Sequence, residues 1–444
     1  MKQITPATTS TSKIASPKSA RTIAALAVLG ALSVSSQAAT YFVAPTGSDS
    51  NVGTMAKPFA SLYRATSRTV PGDVVYLRGG TYKFNVPQTI QGTGNSISRL
   101  NVLSYPGERA ILDFSTSTAG KDGLQVAGKY VNISNITVQN APKANISVWG
   151  ATYVSVKNVK STGSFAAGIL VGATAPGGAH HVEVSGCEVT NCVKVNTSLV
   201  SKTWQPAIQI YQANNVTVTS NSVHQNFGEG IGFCTATDSL IQGNTVSDSF
   251  SVNIYLDNVD NVDVLGNFAY TTSDSKYYRS GRAASGISMA VEGVLNPIGL
   301  RNSEVSNNTV VNCFAGIWYS SFGLGGGLKN FIITNNTIYK TTGGALLWID
   351  TDKGHLGNNI KGNIFQQSGS AALINMPSVT GLGLGNNCWF GGKAGIAAQA
   401  TDLLKDPMLL HPGTFKLADY GLNQLSPCLT KGIGANASAN VSKA

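Results

Sequence analysis

Between residues 120 and 370 the chain repeats one phrase, in which apolar and polar residues alternate and are followed by Asn, one residue, and an apolar residue. It reads Val218-Thr219-Ser220-Asn221-Ser222-Val223, then Ile241-Gln242-Gly243-Asn244-Thr245-Val246, then Val264-Leu265-Gly266-Asn267-Phe268-Ala269. It continues as Asn308-Thr309-Val310, Asn336-Thr337-Ile338 and Asn363-Ile364-Phe365, so the Asn residues are spaced by 23, 23, 41, 28 and 27 positions. Period-two alternation predicts short strands. Strands this short cannot bury an apolar face alone and must stack on their neighbours. The pattern predicts an all-β fold, a right-handed parallel β-helix. Asn tolerates the left-handed backbone needed where one strand bends into the next, and its amide can bond the Asn of the coils above and below.

A second phrase precedes each Asn: Gly168-Ile169-Leu170, Ala207-Ile208-Gln209, Gly230-Ile231-Gly232, Asn253-Ile254-Tyr255, Gly286-Ile287-Ser288 and Gly316-Ile317-Trp318. If the Ile residues stack inward, alternation turns the next residue outward. That gives one outward column of Ser147, Leu170, Gln209, Gly232, Tyr255, Ser288, Trp318 and Leu347. A parallel column two residues on holds Trp149, Gly172, Tyr211, Cys234, Asp257, Ala290, Ser320 and Ile349. A stacked-coil fold needs covers for its open ends. Lys57 to Ala65, with Pro58 early, predicts a short amphipathic cap helix. The expected layout is a single domain over 39–444, with an N-terminal cap at 39–118, coils at 119–372 and an irregular C-terminal cap at 373–444, the last ten residues frayed.

Composition excludes several classes. With 49 Gly, 42% hydrophobic and only 12% charged residues in 444, the chain is neither an acidic disordered protein nor a coiled coil. Lys2, Lys13, Lys18 and Arg21 precede an apolar run from Thr22 to Val34 and a Ser36-Gln37-Ala38 cleavage signal, so residues 1–38 read as an export signal peptide. The expected location is secreted or periplasmic, with no membrane partner after cleavage. Removing four of 31 basic residues and none of 21 acidic ones leaves 27 − 21 = +6. That excess suits a polyanion. No basic cluster argues for nucleic acid, and a monomer is expected. Of six Cys, Cys388 and Cys428 are the expected disulfide of the C-terminal region. Cys187 and Cys192 are close enough to bond or to sit as neighbouring core thiols, and Cys234 and Cys313 read as buried small hydrophobes. No Cys or His spacing resembles a zinc site, and His180 and His181 read as turn residues.

The coil spacings point to a site. Long stretches flank the two short coils, which predicts two walls around a floor. The floor would hold Glu229, Tyr255 and Asp257. One wall would be Asn196–Gln205 with Trp204; the other, Ser273–Ala284, would carry Lys276, Tyr277, Tyr278, Arg279 and Arg282. Outward Trp149, Tyr211 and Trp318, with Gln209, suit sugar rings, whose C–H groups pack on aromatic faces. A uronic acid's C5 proton becomes removable when a cation neutralises the neighbouring carboxylate and a base stands by. Arg279 or Arg282 could neutralise, and Tyr278, Tyr255 or Lys276 could be the base. Glu229, Asp257, Asp260 and Glu292 leave two other readings open: a carboxylate pair for glycoside hydrolysis, and a Ca²⁺ site.

The N-terminal residues carry a resemblance. Tyr41-Phe42-Val43-Ala44-Pro45-Thr46-Gly47-Ser48-Asp49, Gly53-Thr54, Lys57-Pro58-Phe59 and Gly72-Asp73-Val74-Val75-Tyr76-Leu77-Arg78-Gly79-Gly80-Thr81-Tyr82 resemble the opening of family 9 polysaccharide lyases. The resemblance implies an exported, pectate-lyase-like β-helix acting on an acidic polysaccharide. The family's acidic Ca²⁺ cluster is not carried over, because Ser251, Val252 and Tyr255 stand where those ligands belong. Its lysine base is not carried over either: Gly286-Ile287-Ser288-Met289-Ala290-Val291-Glu292 has no Lys. The expectation is a metal-independent lyase working by β-elimination. A glycoside hydrolase or uronate epimerase on the same scaffold is the first alternative, and a non-catalytic polysaccharide-binding matrix protein the second.

Overall fold

The computed structural model describes residues 38–118, 120–294, 297–322, 324–350 and 353–435. The expected signal peptide, apart from Ala38, and the tail from 436 lie outside the described residues. Among the described residues no helix is long and apolar enough to cross a membrane.

From Thr40 the chain winds through three sheets in turn, and every pair of stacked strands is parallel. One coil shows the plan: Ala213–Thr219 lies in the first sheet, Ser222–His224 in the second and Glu229–Cys234 in the third. The inward stacks follow the predicted register. Val218 pairs with Ile241 and Ile241 with Val264; Ile208, Ile231, Ile254, Ile287 and Ile317 stack in the third sheet. All are buried, in one continuous core. The fold is a parallel β-helix, built as the repeat requires.

The Asn residues stand at the corner between the first and second sheets. Asn221, Asn244, Asn267, Asn308, Asn336 and Asn363 form a ladder, in which each amide donates to the side-chain oxygen of the next at 2.9–3.1 Å, ending on Asn387. Each side-chain oxygen also accepts the backbone N–H of the coil below, which leaves no orphan donor at the bend. Cys187 occupies the ladder position below Asn221, and Asp402 closes the top by accepting from Asn387 N at 2.9 Å.

Several expectations are corrected. The cap helix is only Leu62–Thr66, because Ser61 caps it by accepting from Arg64 N at 3.1 Å, and Asp49 pins Ala60 N and Ser61 N ahead of it. Within the range expected for the N-terminal cap, the strands Val74–Leu77 and Leu100–Ser104 already belong to the first sheet. At the other end Ile374–Asn375, Leu382–Gly385 and Cys388–Phe390 make a further coil past 372. The segment beyond it does more than cover the end: Leu409, Tyr420, Leu422, Cys428 and Ile433 pack with Phe268, Val311, Tyr339 and Ile364 of the second sheet. The six cysteines are free thiols. Cys388 and Cys428 lie in that apolar cluster in thiol–thiol contact, without the expected bond. Cys187 and Cys192 are separate corner residues, held by Asn221 and Asn226. His181 has the left-handed backbone (φ 53) of a turn residue.

Candidate functional site

The third sheet presents both predicted outward columns. Its register aligns Ser147, Leu170, Gln209, Gly232, Tyr255, Ser288 and Trp318, and beside them Trp149, Gly172, Tyr211, Cys234, Asp257, Ala290 and Ser320. The last member of each column differs. Leu347 pairs with Ile317 and Ile349 with Tyr319, so both face the core, and Trp348 is the outward residue, stacked on Trp318 with ring centroids 5.2 Å apart.

Over the middle of these columns opens a cavity of about 740 Å³, lined by Gln209, Tyr211, Glu229, Tyr255, Asp257, Arg279, Arg282 and Trp318 among others. Gly232 lines its floor. A Cβ there would fall 2.3 Å from the Pro206 ring, so no larger side chain fits without displacing it.

The walls are arranged differently from the expectation. The segments before Pro206–Tyr211 and before Ser285–Ala290 enter the third sheet from the same side and meet each other over the two short coils. Ser280 N donates to Leu199 O at 3.2 Å, and the Arg279 guanidinium lies 4.6 Å from the Trp204 ring centre. They make one wall. The facing wall is Glu292, Gly293 and Val294 with Phe322 and Leu324, from the connections that leave the sheet.

Of the wall residues expected in the site, Arg279 and Arg282 line the cavity, and Lys276 and Tyr278 do not. The turn Ser275–Tyr277 buries Tyr277 against Phe227 and leaves Lys276 exposed with its ammonium over the Tyr277 ring. Tyr278 donates its hydroxyl to Thr272 O at 2.6 Å, a local bond that removes it as a base.

The floor gathers three carboxyl groups. Glu229 and Asp257 are each 4% exposed, and Glu292 reaches in from the facing wall. Tyr255 donates its hydroxyl to Glu292 Oε1. Asp257 Oδ1 accepts from Asn258 Nδ2 at 2.8 Å and from Glu292 N at 3.3 Å, while the Cys234 thiol lies 3.3 Å from Oδ2. Cys234 is therefore a half-buried cavity residue and no part of the core. Asn258, with a left-handed backbone (φ 52), ties the floor to the facing wall: its Nδ2 also donates to Glu292 O at 2.9 Å and its Oδ1 accepts from Gly299 N at 3.1 Å.

Crowding acidic groups in a dry cleft changes their protonation. Burial, reinforced by Glu292 and Asp257, holds the Glu229 carboxyl well above the ordinary value, against the pull of Arg279. Burial and Glu292 push Asp257 up to about 6. Tyr255 is also raised well above its ordinary value, by burial and then by Glu229 and Glu292, so it is a donor at rest. Burial lowers both guanidinium groups, partly offset at Arg279 by Glu229. The site thus holds a carboxyl biased toward its neutral form, a phenol bonded to a second carboxyl, and two guanidinium groups on the same wall. Gln209 Oε1, Ser288 Oγ and Trp318 Nε1 are buried there without a hydrogen-bond partner among the described residues.

Among the described residues no three His, Cys, Asp or Glu side chains converge as metal ligands. Asp260, weighed with the carboxylates, is remote from the cleft and pairs with Arg301 at 2.7 Å. Sequence reasoning missed the partnership of Glu292 with Tyr255, the roles of Asn258 and Cys234, and the apolar end formed by Phe322 and Leu324. The only signal for Glu292 was its place two residues beyond a third-sheet strand.

Comparison with known proteins agrees with this architecture. Residues 41–192 match a family model described as Pel9A-like, right handed beta helix region, and residues 205–325 match one described as right handed beta helix region. Pectate lyase L of Paenibacillus polymyxa is 30% identical over 139 residues, 30% of this chain and 30% of that protein. Pectate lyase PEL9 of Emericella nidulans is 35% identical over 86 residues, 19% of this chain and 21% of its own. The matched region thus spans a third or less of these relatives' length. Among solved structures, pectate lyase Pel9A superposes with a TM-score of 0.52 at 16% identity, covering 87% of this chain and 88% of its own. A rhamnogalacturonan lyase gives 0.52 at 17%, covering 83% and 87%. The chain is a pectate-lyase-like right-handed parallel β-helix.

Proposed function

We propose that the protein is an exported polysaccharide lyase that cleaves a uronate-containing polysaccharide by β-elimination, without a metal in the reaction centre. The observation that carries this reading is the meeting, in one cleft on the third sheet, of Arg279 and Arg282 with Tyr255, Glu292 and Glu229. The pectate lyase relatives and the two lyase folds support the same reaction class.

In this reading the substrate carboxylate pairs with Arg279 and Arg282, which stabilise the negative charge that develops when C5 loses its proton. A raised phenol is a poor free-standing base. The hydrogen bond to Glu292 resolves that difficulty: the Tyr255 oxygen accepts the C5 proton as its own proton passes to the Glu292 carboxylate. The C4–O bond breaks, the electron pair of the C5–H bond becomes the C4=C5 double bond, and the Glu229 carboxyl gives its proton to the leaving oxygen. Exchange with water returns Glu292 and Glu229 to their starting states. In this pair burial favours the protonated form of Glu229, and the hydrogen bond from Tyr255 makes Glu292 the acceptor. Asp257 positions Glu292 through its backbone N–H and through Asn258.

The donor set argues against Ca²⁺, which takes six to eight oxygens. Both Asp257 oxygens already face hydrogen donors, Glu292 Oε1 faces a phenol, and two guanidinium groups occupy the same cleft. Hydrolysis is the second reading, favoured by the three carboxyl groups, with Glu229 as acid and Asp257 or Glu292 activating water. Glu229→Gln and Arg279→Ala separate the two. A lyase loses unsaturated product in both variants, whereas a hydrolase loses new reducing ends in Glu229→Gln and keeps them in Arg279→Ala. The partner on this account is an acidic polysaccharide outside the cytoplasm, and the acting species is a monomer.

A further inference from the structure

We propose that Trp149, its ring leaning on Tyr211 at the edge of the central cavity, forms a distal subsite that holds the same acidic polysaccharide about four sugars from the reaction centre, which makes the protein selective for long chains. The inference rests on the polysaccharide reading above and adds where the chain runs. Trp149 ends the strand Ile146–Trp149, Gly172 the next strand of the third sheet, and Tyr211 the one after, and the three are in register. The two rings lean toward each other across the intervening coil, with centroids 6.4 Å apart and planes 11° from parallel. Gly172 is what allows this: a Cβ there would lie 2.9 Å from the Trp149 ring, so the indole rests on bare backbone. The Tyr211 hydroxyl accepts from Gln212 Nε2 at 2.8 Å, which fixes its ring.

Tyr211 lines the central cavity and Trp149 lies outside it, so the pair continues the cleft toward the N-terminal coils. A packing residue would be covered, yet Trp149 remains 44% exposed. A ring held against a neighbour while its remaining surface faces water is built for a partner that offers C–H groups to an aromatic face. Four strand spacings of about 4.8 Å separate Trp149 from Asp257, roughly 19 Å. A disaccharide in the cavity cannot span that distance. An extended chain advancing about one sugar per strand can.

The test compares Trp149→Ala and Trp149→Phe with the parent in a Glu229→Gln background, measuring affinity by calorimetry for pectate, alginate and their dimers to hexamers. Expected is a loss of about tenfold or more for polymer and hexamer in Trp149→Ala, partial retention in Trp149→Phe, and unchanged affinity for dimers. Unchanged polymer affinity, an equal loss at every chain length, or a parent that binds neither polymer would each overturn the subsite. If the parent binds polymer and Trp149→Ala weakens it, but the protein with Glu229 intact releases no unsaturated product, the subsite stands and the lyase reading falls.

Discussion

Replacing Asn267 by Ala tests whether the Asn ladder builds the coils that carry the site. The Asn267 side chain makes five contacts. Its Oδ1 accepts from Asn244 N and Asn244 Nδ2, both at 2.9 Å, and its Nδ2 donates to Ile241 O at 2.9 Å, Leu265 O at 3.2 Å and Asn308 Oδ1 at 3.0 Å. After the change Asn244 Nδ2 keeps Val218 O, and Asn308 Oδ1 keeps the backbone N–H of residue 267. The Asn244 backbone N–H keeps nothing, and a buried donor left so costs about 1–3 kcal/mol. The lost bonds of the other groups and the small cavity add a comparable amount, for about 3–5 kcal/mol in total. That is a large fraction of a typical domain's stability. The assay is the shift in urea midpoint of the variant from the parent, multiplied by the slope common to both proteins. A loss below about 1 kcal/mol for Asn267→Ala would refute the ladder as a structural element.

Three further outcomes follow from the site. Glu229→Gln should lower turnover by about 10²–10⁴-fold, the range of general acid catalysis, with the melting temperature kept, because burial favours the neutral carboxyl that the amide replaces. Arg279→Ala should raise KM and lower kcat together, since it removes the carboxylate partner, and the Trp204 fluorescence should change as its stacked cation is lost. Asp257, held at about 6, favours the protonated form when folded, so its contribution to stability is present below the ordinary carboxylate pKa and is lost as pH rises through about 6. Ionising it costs on the order of 3 kcal/mol. Asp257→Asn should flatten the fall in stability between roughly pH 4 and 7, measured by denaturant titration; an unchanged slope would contradict that assignment.

The scaffold was legible because its signals repeat. Asn at one position per turn and Ile at another set the register of the coils, and alternation then placed Gln209, Tyr255 and Asp257 outward. It failed where two apolar residues competed for one inward position: Leu346-Leu347-Trp348 gives no way to tell which Leu stacks on Ile317, and the structure turns Trp348 outward. Loops carry no such period. The run Lys276-Tyr277-Tyr278-Arg279 offers two candidate bases, Lys276 and Tyr278, and a candidate cation, Arg279, with nothing to say which reach the cleft; one tight turn at Ser275–Tyr277 sends Tyr277 inward and Tyr278 onto Thr272, leaving Arg279 alone of the four in the cleft. Nor does loop length report which side a loop stands on, so the facing wall of Glu292, Phe322 and Leu324 escaped notice. The pairing of Glu292 with Tyr255 joins residues 37 positions apart and has no local signature.

The central claim is β-elimination without a metal, and the most direct measurement is ultraviolet absorbance of the unsaturated uronate product. The protein would be followed on pectate and alginate, with and without a chelator, beside Arg279→Ala and Glu229→Gln. The account predicts a rise that survives chelation and disappears in both variants. New reducing ends without that rise would contradict elimination in favour of hydrolysis, and a rise abolished by the chelator would contradict the metal-free centre.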